Sequence, residues 1–310
     1  MQYSVVIRTL GRQAYVEPTL MGLLKQVPGP EEIVLVLPEG EPVPAWDTPH
    51  PRVRWAHGRR GAISQRVDGL KAATTPVVVL LDDDIVFHEP DTLRRLVEAM
   101  PEHGAQVVVP YFPGLAQLSG WKKATHALLG IYFLTDEPAL RVTPGGSFSY
   151  PRDRPGETPI PIDSAQGACV VVDRAFVAKR GLYGDEELQR TPAYAFRDDA
   201  AFVMDIVLAG GKALMVDVGD SIEHIGVLHQ TTPERAYMGA AGGTYNVYLF
   251  WKKYARRKFE GQWRVYPWFA WHLAGNVVLH LSVAARRRSW HPVRGVIDGF
   301  KWIWQDVRKR

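Results

Sequence analysis

The segment Val77-Val78-Val79-Leu80-Leu81-Asp82-Asp83-Asp84 contains five apolar residues followed directly by three carboxylates. A short, largely β-branched apolar run is typical of a strand that is covered on both faces, as in a parallel sheet. Three adjacent carboxylates repel one another, and a bound cation relieves that repulsion. The segment therefore predicts a buried strand that ends at a ligand site. An isolated aspartate run can equally form a solvated turn or cap the next helix, so the surrounding chain must decide.

Further apolar runs with helical patterns between them surround this segment. The other candidate strands are residues 4–7, 33–37, 53–55, 107–110, 168–172 and 213–216. The candidate helices lie near residues 15–26, 61–73, 91–100, 174–180 and 199–209. Strands that alternate with helices predict an α/β fold with a mainly parallel sheet flanked by helices. Ligands of such sheets bind outside the carboxyl ends of the strands, where Thr9 and the three aspartates follow their strands.

The spacing within the aspartate run indicates how it would bind. In an extended segment Asp82 and Asp84 point to the same side, whereas Asp83 points to the other. Two carboxylates on one side suit a hard divalent cation, Mg²⁺ or Mn²⁺, which also binds diphosphate oxygens.

The cysteine content and the N-terminal sequence indicate the cellular compartment of the protein. The single cysteine, Cys169, excludes an internal disulfide and a cysteine-based zinc cluster, and its apolar surroundings favour a small buried strand residue over a nucleophile. The chain enters a strand directly after Met1, without the basic and apolar segments of a signal peptide. We therefore expect a cytoplasmic protein.

Charge is distributed unevenly along the chain. Residues 251–310 carry 14 Lys or Arg and 3 Asp or Glu, a net of +11, which leaves −7 for residues 1–250 of the overall +4. The same tail holds seven of the ten tryptophans. A basic, Trp-rich tail predicts contact with an anionic surface. Nucleic acid is not expected as a partner, because the positive charge is confined to the tail and no nucleic-acid module is recognisable.

Six blocks of the chain, in order, resemble family 2 glycosyltransferases. They are residues 4–9, residues 61–73 with Arg66, residues 81–84, residues 163–186, residues 196–212 with Phe196-Arg197-Asp198-Asp199, and Ser221-Ile222-Glu223-His224. Each block is loose alone, and their shared order over roughly residues 3–230 is what makes the resemblance specific.

This resemblance implies a GT-A (Rossmann-like) fold and a nucleotide-sugar donor. The residues it assigns to donor binding are Thr9, Glu39, Arg66, Asp82 and Asp83. It assigns Asp84, Asp82 and His224 to the metal, with Asp199 as the catalytic base and Asp198 as its acidic neighbour. A base and a cation on opposite faces of the anomeric carbon imply transfer with inversion.

The chain also departs from the family pattern. Arg8 stands where the family often has proline, and the second strand ends in Leu37-Pro38-Glu39-Gly40 where Asp-Asp-Gly-Ser is usual. The acidic residue expected near the nucleotide is therefore either missing or replaced by Glu39, and the identity of the donor base stays open.

Some site residues have simpler interpretations. Asp198 and Asp199 precede an apolar helical pattern and could merely cap that helix. A lone histidine such as His224 is more often structural than a ligand, and His229 is interpreted as a loop or acceptor-side residue. Arg66 could pair with a phosphate, with the aspartates or with solvent.

Residues 231–310 are predicted to form a basic, Trp-rich helical extension beyond a catalytic domain of residues 1–230. The stretch 265–285 is uncharged, but His272, Asn276 and His280 form a polar stripe at i, i+4, i+8, so an amphipathic helix at a membrane surface is favoured over a spanning helix. A second amphipathic pattern covers residues 293–307. Both helices could instead pack on the catalytic domain. Residues 141–163, rich in Pro and Gly, are predicted to form a long irregular loop.

The motifs that follow the six blocks indicate whether one sugar or a polymer is made. Arg235, Tyr237, Tyr245-Asn246 and Lys252-Lys253-Tyr254 resemble the helix of single-addition rhamnosyl- or mannosyl-type members, and the QxxRW motif of processive enzymes is absent. A single sugar added to a glycan or lipid-linked acceptor is therefore expected.

Two other classes of function remain open from the sequence. A nucleotidyltransferase can share the sheet and the acidic site, although Thr9-Leu10-Gly11-Arg12 is a poor triphosphate loop. A non-enzymatic nucleotide- or nucleic-acid-binding protein could use Trp and Arg of the tail for stacking.

Overall fold

The computed structural model describes residues 1–46, 50–112, 120–165, 167–190, 195–225 and 232–309. Thirteen strands are found in the described chain: β1 (Tyr3–Arg8), β2 (Glu32–Pro38), β3 (Val53–Gly58), β4 (Val77–Asp82), β5 (Ile85–Phe87), β6 (Val107–Pro110), β7 (Tyr132–Thr135), β8 (Arg141–Val142), β9 (Phe148–Pro151), β10 (Ile160–Pro161), β11 (Cys169–Asp173), β12 (Ala213–Val216) and β13 (Ile222–His224). Its α-helices are α1 (Gln13–Leu24), α2 (Ala62–Ala72), α3 (Thr92–His103), α4 (Gly120–Leu128), α5 (Arg174–Arg180), α6 (Asp198–Leu208), α7 (Pro233–Phe250), α8 (Arg256–Lys258), α9 (Val265–Arg287) and α10 (His291–Arg308).

These elements form two compact units. The first unit comprises Met1–Pro113, Arg154–Ala193 and Asp198–Val227, and the second comprises Gly114–Asp153, Tyr194–Arg197 and Leu228–Arg310.

The first unit is built on an eight-stranded sheet in the order β10-β12-β6-β11-β4-β1-β2-β3. Its neighbours β12-β6, β4-β1, β1-β2 and β2-β3 are parallel, and the other three pairs are antiparallel. Val5, Val79 and Val171 have no exposed surface, as expected for strands covered on both faces. The predicted α/β fold with a mainly parallel sheet flanked by helices is confirmed.

Strand β11 runs against its neighbours and shapes the edge of the sheet. Cys169 at its start pairs with Leu81 near the end of β4. The backbone N–H of Asp82 donates to the carbonyl of Ala168 at 2.9 Å. Because the strand is reversed, the segment that enters β11 lies at the same edge as the residues that leave β1 and β4.

A two-stranded antiparallel sheet extends this edge. Strand β13 pairs with β5, which places His224 opposite Ile85. Ile85 follows Asp84 directly, so this short pairing brings His224 to the aspartate run from 140 positions further along the chain.

The second unit contains a three-stranded sheet in the order β7-β9-β8 and the C-terminal helices. Strands β8, β9 and β10 fall within residues 141–163, which the sequence predicted to be irregular, and that prediction is wrong for these segments. The aromatic side chains explain part of the difference, because the rings of Phe148 and Tyr150 lie 6.3 Å apart and contact Phe250 and Tyr132 respectively.

The polar stripe predicted on α9 faces the interior of the second unit. His272 and Asn276 are buried, and Gly275 between them permits a close approach to the backbone of Leu129. His272 donates from Nδ1 to the carbonyl of Gly130 at 2.5 Å and accepts from Arg197 Nη2 at 2.7 Å. The polar side chains are therefore satisfied inside the unit, and apolar side chains form the exposed face of α9.

Arg197 occupies the centre of this buried polar network. Its guanidinium also donates to the carbonyl of Gly146 and lies 5.0 Å from the ring of Phe148 and 5.3 Å from that of Phe250. Burial lowers the pKa of Arg197 to about 10. Burial, together with the charge of Arg197, lowers the pKa of His272 well below its ordinary value.

Among the described residues, no helix combines the length and the apolar character that crossing a membrane requires.

Candidate active site

The carboxyl ends of β1 and β4 open into a pocket of about 570 Å³ in the first unit. Its lining residues come from the ends of β1 and β2, the β1–α1 connection, the segment that leads into α2 and the aspartate run: Arg8, Thr9, Leu10, Arg12, Pro38, Arg60, Gly61, Ala62, Gln65, Asp82, Asp83 and Asp84. This volume lies within the range of small-molecule sites, and the edge is the one at which open α/β sheets bind ligands.

Three of the predicted metal residues are brought together beside this pocket. One ligand atom each of Asp82, Asp84 and His224 lies within 4.8 Å of the others. Oδ1 of Asp84 is buried without a hydrogen-bond partner in the described chain, and Nε2 of His224 lies 3.1 Å from it. Two carboxylates and an imidazole around an unsatisfied oxygen are a donor set that fits a divalent cation such as Mn²⁺ or Mg²⁺.

Asp84 and His224 shift each other's pKa. Burial acts to raise the pKa of Asp84, but the adjacent His224 outweighs it and lowers that pKa. The interaction with Asp84 in turn raises the pKa of His224, against the effect of burial. Both shifts favour the charged forms of the two side chains.

The middle aspartate is turned away from the cluster, as the strand alternation predicts. Asp83 accepts a hydrogen bond from Thr9 Oγ1 at 2.6 Å, and Thr9 Oγ1 accepts from the N–H of Gly11 at 3.0 Å. Burial raises the pKa of Asp83. The Thr9–Asp83 pair therefore links the β1–α1 connection to the aspartate run, and both residues line the pocket.

Two buried carboxylates at the start of α6 form the second part of the site. Nη2 of Arg66, from α2, donates to Oδ2 of Asp198 at 2.6 Å and also to Oδ1 of Asp199. Arg66 is only 5% exposed, which excludes its interpretation as a surface arginine. Asp198 and Asp199 lie in the first turn of α6, where they could cap the helix. Both also belong to a buried ion-pair network with Arg66.

The surroundings of Asp198 and Asp199 shift the pKa values of the two carboxyl groups in opposite directions. For Asp198 burial acts to raise the pKa, but the guanidinium groups of Arg66 and Arg8 prevail and lower it. For Asp199 burial raises the pKa and the charge of Asp198 adds to the effect, which Arg66 only partly opposes. Neighbouring carboxyl groups with opposite shifts are typical of sites that hold or move protons.

Arg8 joins the two parts of the site, and the sequence interpretation gave it no role. Its Nε donates to Oδ1 of Asp82 at 2.6 Å, and its Nη1 donates to Oδ2 of Asp198 at 2.7 Å. Burial acts to lower the pKa of Arg8, but Asp82 and Asp198 raise it well above its ordinary value. The signal available in the sequence was the replacement of proline by arginine at the end of the first strand.

Two predicted residues are not part of this geometry. Glu39 is exposed after β2, and it is Pro38 that lines the pocket. His229 lies outside the described residues.

Two solved structures of glycosyltransferases are similar to this chain. The structure of the mannosyltransferase PcManGT from Pyrobaculum calidifontis, solved in complex with GDP-Man and Mn²⁺, matches with a TM-score of 0.51 at 14% identity, over 98% of this chain and 87% of that one. Residues 1–349 of TarS from S. aureus, solved in complex with UDP-GlcNAc, match with a TM-score of 0.47 at 14% identity, over 100% and 92% of the two chains. No curated protein sequence matches this chain.

The mainly parallel α/β sheet flanked by helices matches the GT-A glycosyltransferase fold of PcManGT. The family model described as glycosyl transferase family 2 matches residues 4–168, and the chain therefore belongs to that family. The matched region covers Arg8, Arg66 and the aspartate run, and it ends before Asp198, Asp199 and His224.

Proposed function

We propose that this glycosyltransferase moves a single sugar, with inversion, from a nucleoside-diphosphate sugar to an acceptor hydroxyl. The observation that carries the proposal is the Arg8 bridge: one guanidinium binds both Asp82, in the metal cluster, and Asp198, next to the proposed base Asp199. A single side chain thus joins the proposed cation site to the carboxylate next to the proposed base, and displacement at an anomeric carbon by a hydroxyl uses both a base and a cation.

Asp199 is proposed as the general base. A sugar hydroxyl becomes an adequate nucleophile when its proton is taken up as the new bond forms. The raised pKa of Asp199 makes it a better proton acceptor than an ordinary aspartate, provided that it is ionised when the acceptor binds. Asp198 stays ionised beside Arg66 and Arg8, so that after proton transfer Arg66 retains one carboxylate partner.

Asp82, Asp84 and His224 are proposed to hold a divalent cation, Mn²⁺ or Mg²⁺. When bound, such a cation neutralises negative charge that develops on the leaving diphosphate. Asp83 would keep the β1–α1 connection in place through Thr9, and these two residues with Arg66 and Asp82 are proposed to contribute to donor binding. The donor class is supported by the family and by the GDP-Man bound to PcManGT.

A screen of nucleotide sugars by thermal shift, with and without Mn²⁺, tests donor and metal together. Binding to the folded state alone raises the unfolding temperature in proportion to ligand affinity. We expect one donor to stabilise the protein only when metal is present. Analysis of the products with that donor then decides the reaction, because a free nucleoside diphosphate indicates sugar transfer and pyrophosphate indicates a nucleotidyltransferase. The anomeric configuration of the product, read by NMR, tests inversion.

The helical extension, residues 231–310, is proposed to contact an anionic membrane surface, with residues 1–230 as the catalytic domain. The exposed positions of α9 form one uncharged stripe that runs from Tyr266 to Ala285. Exposed apolar patches on soluble domains mark interaction sites, and Arg286, Arg287 and Arg288 at the C-terminal end of α9 suit an anionic leaflet. A glycan or lipid-linked acceptor at that surface fits this placement. Flotation of the wild-type protein with and without anionic vesicles tests the contact, and absence of flotation refutes it.

A further inference from the structure

An open pocket of about 510 Å³ lies in the second unit, and none of its lining residues belongs to the site described above. It is formed by the single segment 252–266, in which the helix that begins with α7 passes through a π-helical turn, Trp251–Ala255, into α8, then turns at Gly261 and enters α9. Single π-helical turns within longer helices are often found at functional sites. The pocket depends on local chain geometry rather than on distant segments.

The pocket carries cations that lack acidic partners. Its charged side chains are Lys252, Arg256, Arg257 and one acid, Glu260. Lys252 binds Asp306, whereas within the described chain neither Arg256 nor Arg257 forms an ion pair. The two guanidinium groups are therefore available for an oxyanion that can accept several hydrogen bonds, such as a phosphate.

Aromatic side chains contact one of these guanidinium groups, and some of them line the pocket. The guanidinium of Arg256 lies 5.4 Å from the ring of Trp251 and 5.8 Å from that of Tyr266, which fixes its orientation. Trp263, which also lines the pocket, is 79% exposed. An exposed indole beside unpaired arginines is the combination found where proteins meet the headgroup region of a bilayer.

The pocket opens at one end of the apolar stripe of α9. Tyr266 belongs to both features: it lines the pocket and is the first exposed residue of the stripe. The exposed positions that follow are uncharged as far as Ala285: Pro267, Ala270, Trp271, Ala274, Val278, Leu281 and Ala285. At about 1.5 Å per residue the stripe is roughly 28 Å long. A ligand that joins an anionic head to hydrocarbon would bind both features, whereas a free phosphate or a nucleotide would leave the stripe uncovered.

We propose that this pocket binds the phosphodiester headgroup of an anionic phospholipid, with the acyl chains of the bilayer against the stripe of α9. The proposal rests on the membrane contact proposed above and names the lipid group and the residues that recognise it. Arg256 and Arg257 bind the phosphate oxygens, and Trp263 and Tyr266 lie at the level of the headgroups.

A short-chain lipid tests the pocket apart from the general attraction between a basic protein and an anionic surface. Dihexanoyl phosphatidylglycerol below its micelle concentration is titrated into the full-length protein by calorimetry. The comparison uses two variants that each lose two positive charges: Arg256→Gln with Arg257→Gln in the pocket, and Lys179→Gln with Arg180→Gln at the exposed end of α5. We expect saturable binding to the wild type, at least tenfold weaker binding to the pocket variant, and unchanged binding to the other variant.

Three outcomes would overturn the proposal: no saturable binding to the wild type, equal weakening in both variants, or equally tight binding of inorganic phosphate, which would indicate a free-anion site. Circular dichroism of the variants excludes misfolding as the cause of a loss. Thermal stabilisation of the same wild-type preparation by a nucleotide sugar is measured in parallel. A protein that binds the donor but not the lipid refutes the pocket alone, and one that binds the lipid but not the donor refutes the proposed transfer alone.

Discussion

Gly167 and Asp199 are in direct contact, and a Cβ atom on Gly167 would lie 1.9 Å from Oδ2 of Asp199. Gly167 stands just before β11, whose reversed direction carries this segment to the edge where α6 begins. No side chain larger than hydrogen fits there while the carboxylate keeps its position. The glycine therefore fixes how closely the proposed base approaches the backbone at the sheet edge.

Gly167→Ala is expected to reduce turnover by about 100-fold, because a displacement of about 1 Å at a reacting group costs that much. Donor binding with metal should persist, because the metal cluster is not touched. Steady-state kinetics and thermal shift with the donor separate these effects. Gly120→Ala is the matched control, since a Cβ at Gly120 meets no atom within 4 Å. Full turnover in Gly167→Ala would mean that the position of Asp199 does not matter for the reaction.

Asp199→Asn should lower kcat by about 10² to 10⁴, the usual contribution of a general base, with little change in donor affinity. In the wild type, kcat/KM should fall as the pH drops through the raised pKa of Asp199, since only the ionised form accepts a proton. The midpoint of this acid limb is expected above about 4, the value of an unperturbed aspartate. A pH–rate profile flat down to pH 4 would contradict the assignment.

Arg8→Lys should lower kcat/KM by about tenfold or more, because an ammonium group cannot span two carboxylates as the planar guanidinium does. Arg8→Gln should cost at least as much. Kinetics of both variants are compared with Arg94→Gln, an exposed arginine on α3 that pairs with Asp91 and Glu98. If Arg8→Lys retains wild-type activity, the bridge between Asp82 and Asp198 is not needed for catalysis.

Asp84→Asn and His224→Gln should each weaken Mn²⁺ binding by about 10-fold or more, and with it the metal-dependent stabilisation by nucleotide, because each removes a charged or strong ligand. The readout is calorimetric titration with Mn²⁺ alone. Glu223→Gln serves as the control, since Glu223 neighbours His224 on β13 but its side chain is exposed beside His88. Unaltered Mn²⁺ affinity in both variants would rule out the Asp82–Asp84–His224 site.

The free energy of unfolding should decrease as the pH falls below about 6.5, and His272 should account for part of the slope. Its folded-state pKa is lowered, so the unfolded chain takes up a proton there before the folded protein does. The stabilisation is thus complete above the unfolded pKa, about 6.5, and is lost below it, by at most about 1.4 kcal/mol per pH unit. Urea unfolding at pH 7.5 and 5.5 measures the effect. His272→Gln should reduce the difference between the two pH values, whereas His57→Gln, at an exposed position on β3, should leave it unchanged.

The strands of the first unit could be predicted because their amino-acid composition is typical of buried strands. Runs such as β4 and β11 are β-branched and fully apolar, and helical patterns separate most of them. The direction of β11 could not be predicted, because an apolar run has the same pattern in both directions. Its reversal depends on hydrogen bonds to β4 and β6, which are distant in the chain.

The positions of site residues could be predicted where they depend on local backbone geometry. They could not be predicted where they depend on residues far away in the sequence. The alternation of side chains along a strand already separated Asp83 from Asp82 and Asp84. The bridging role of Arg8 depends on partners 74 and 190 positions away, which no local pattern reveals. For α9, periodicity identified the polar stripe, but only Gly130 and Arg197 determine that His272 faces inward.

The burial of Cys169 at the start of β11 gives the protein an internal reporter. Its thiol has no exposed surface, and burial raises its pKa well above the ordinary value, so a disulfide reagent reaches it only after β11 separates from β4. The same separation breaks the bond between Asp82 and Ala168 that holds the aspartate run against the sheet. As this is the only thiol in the chain, its labelling rate measures how often the active edge opens, without any engineered probe.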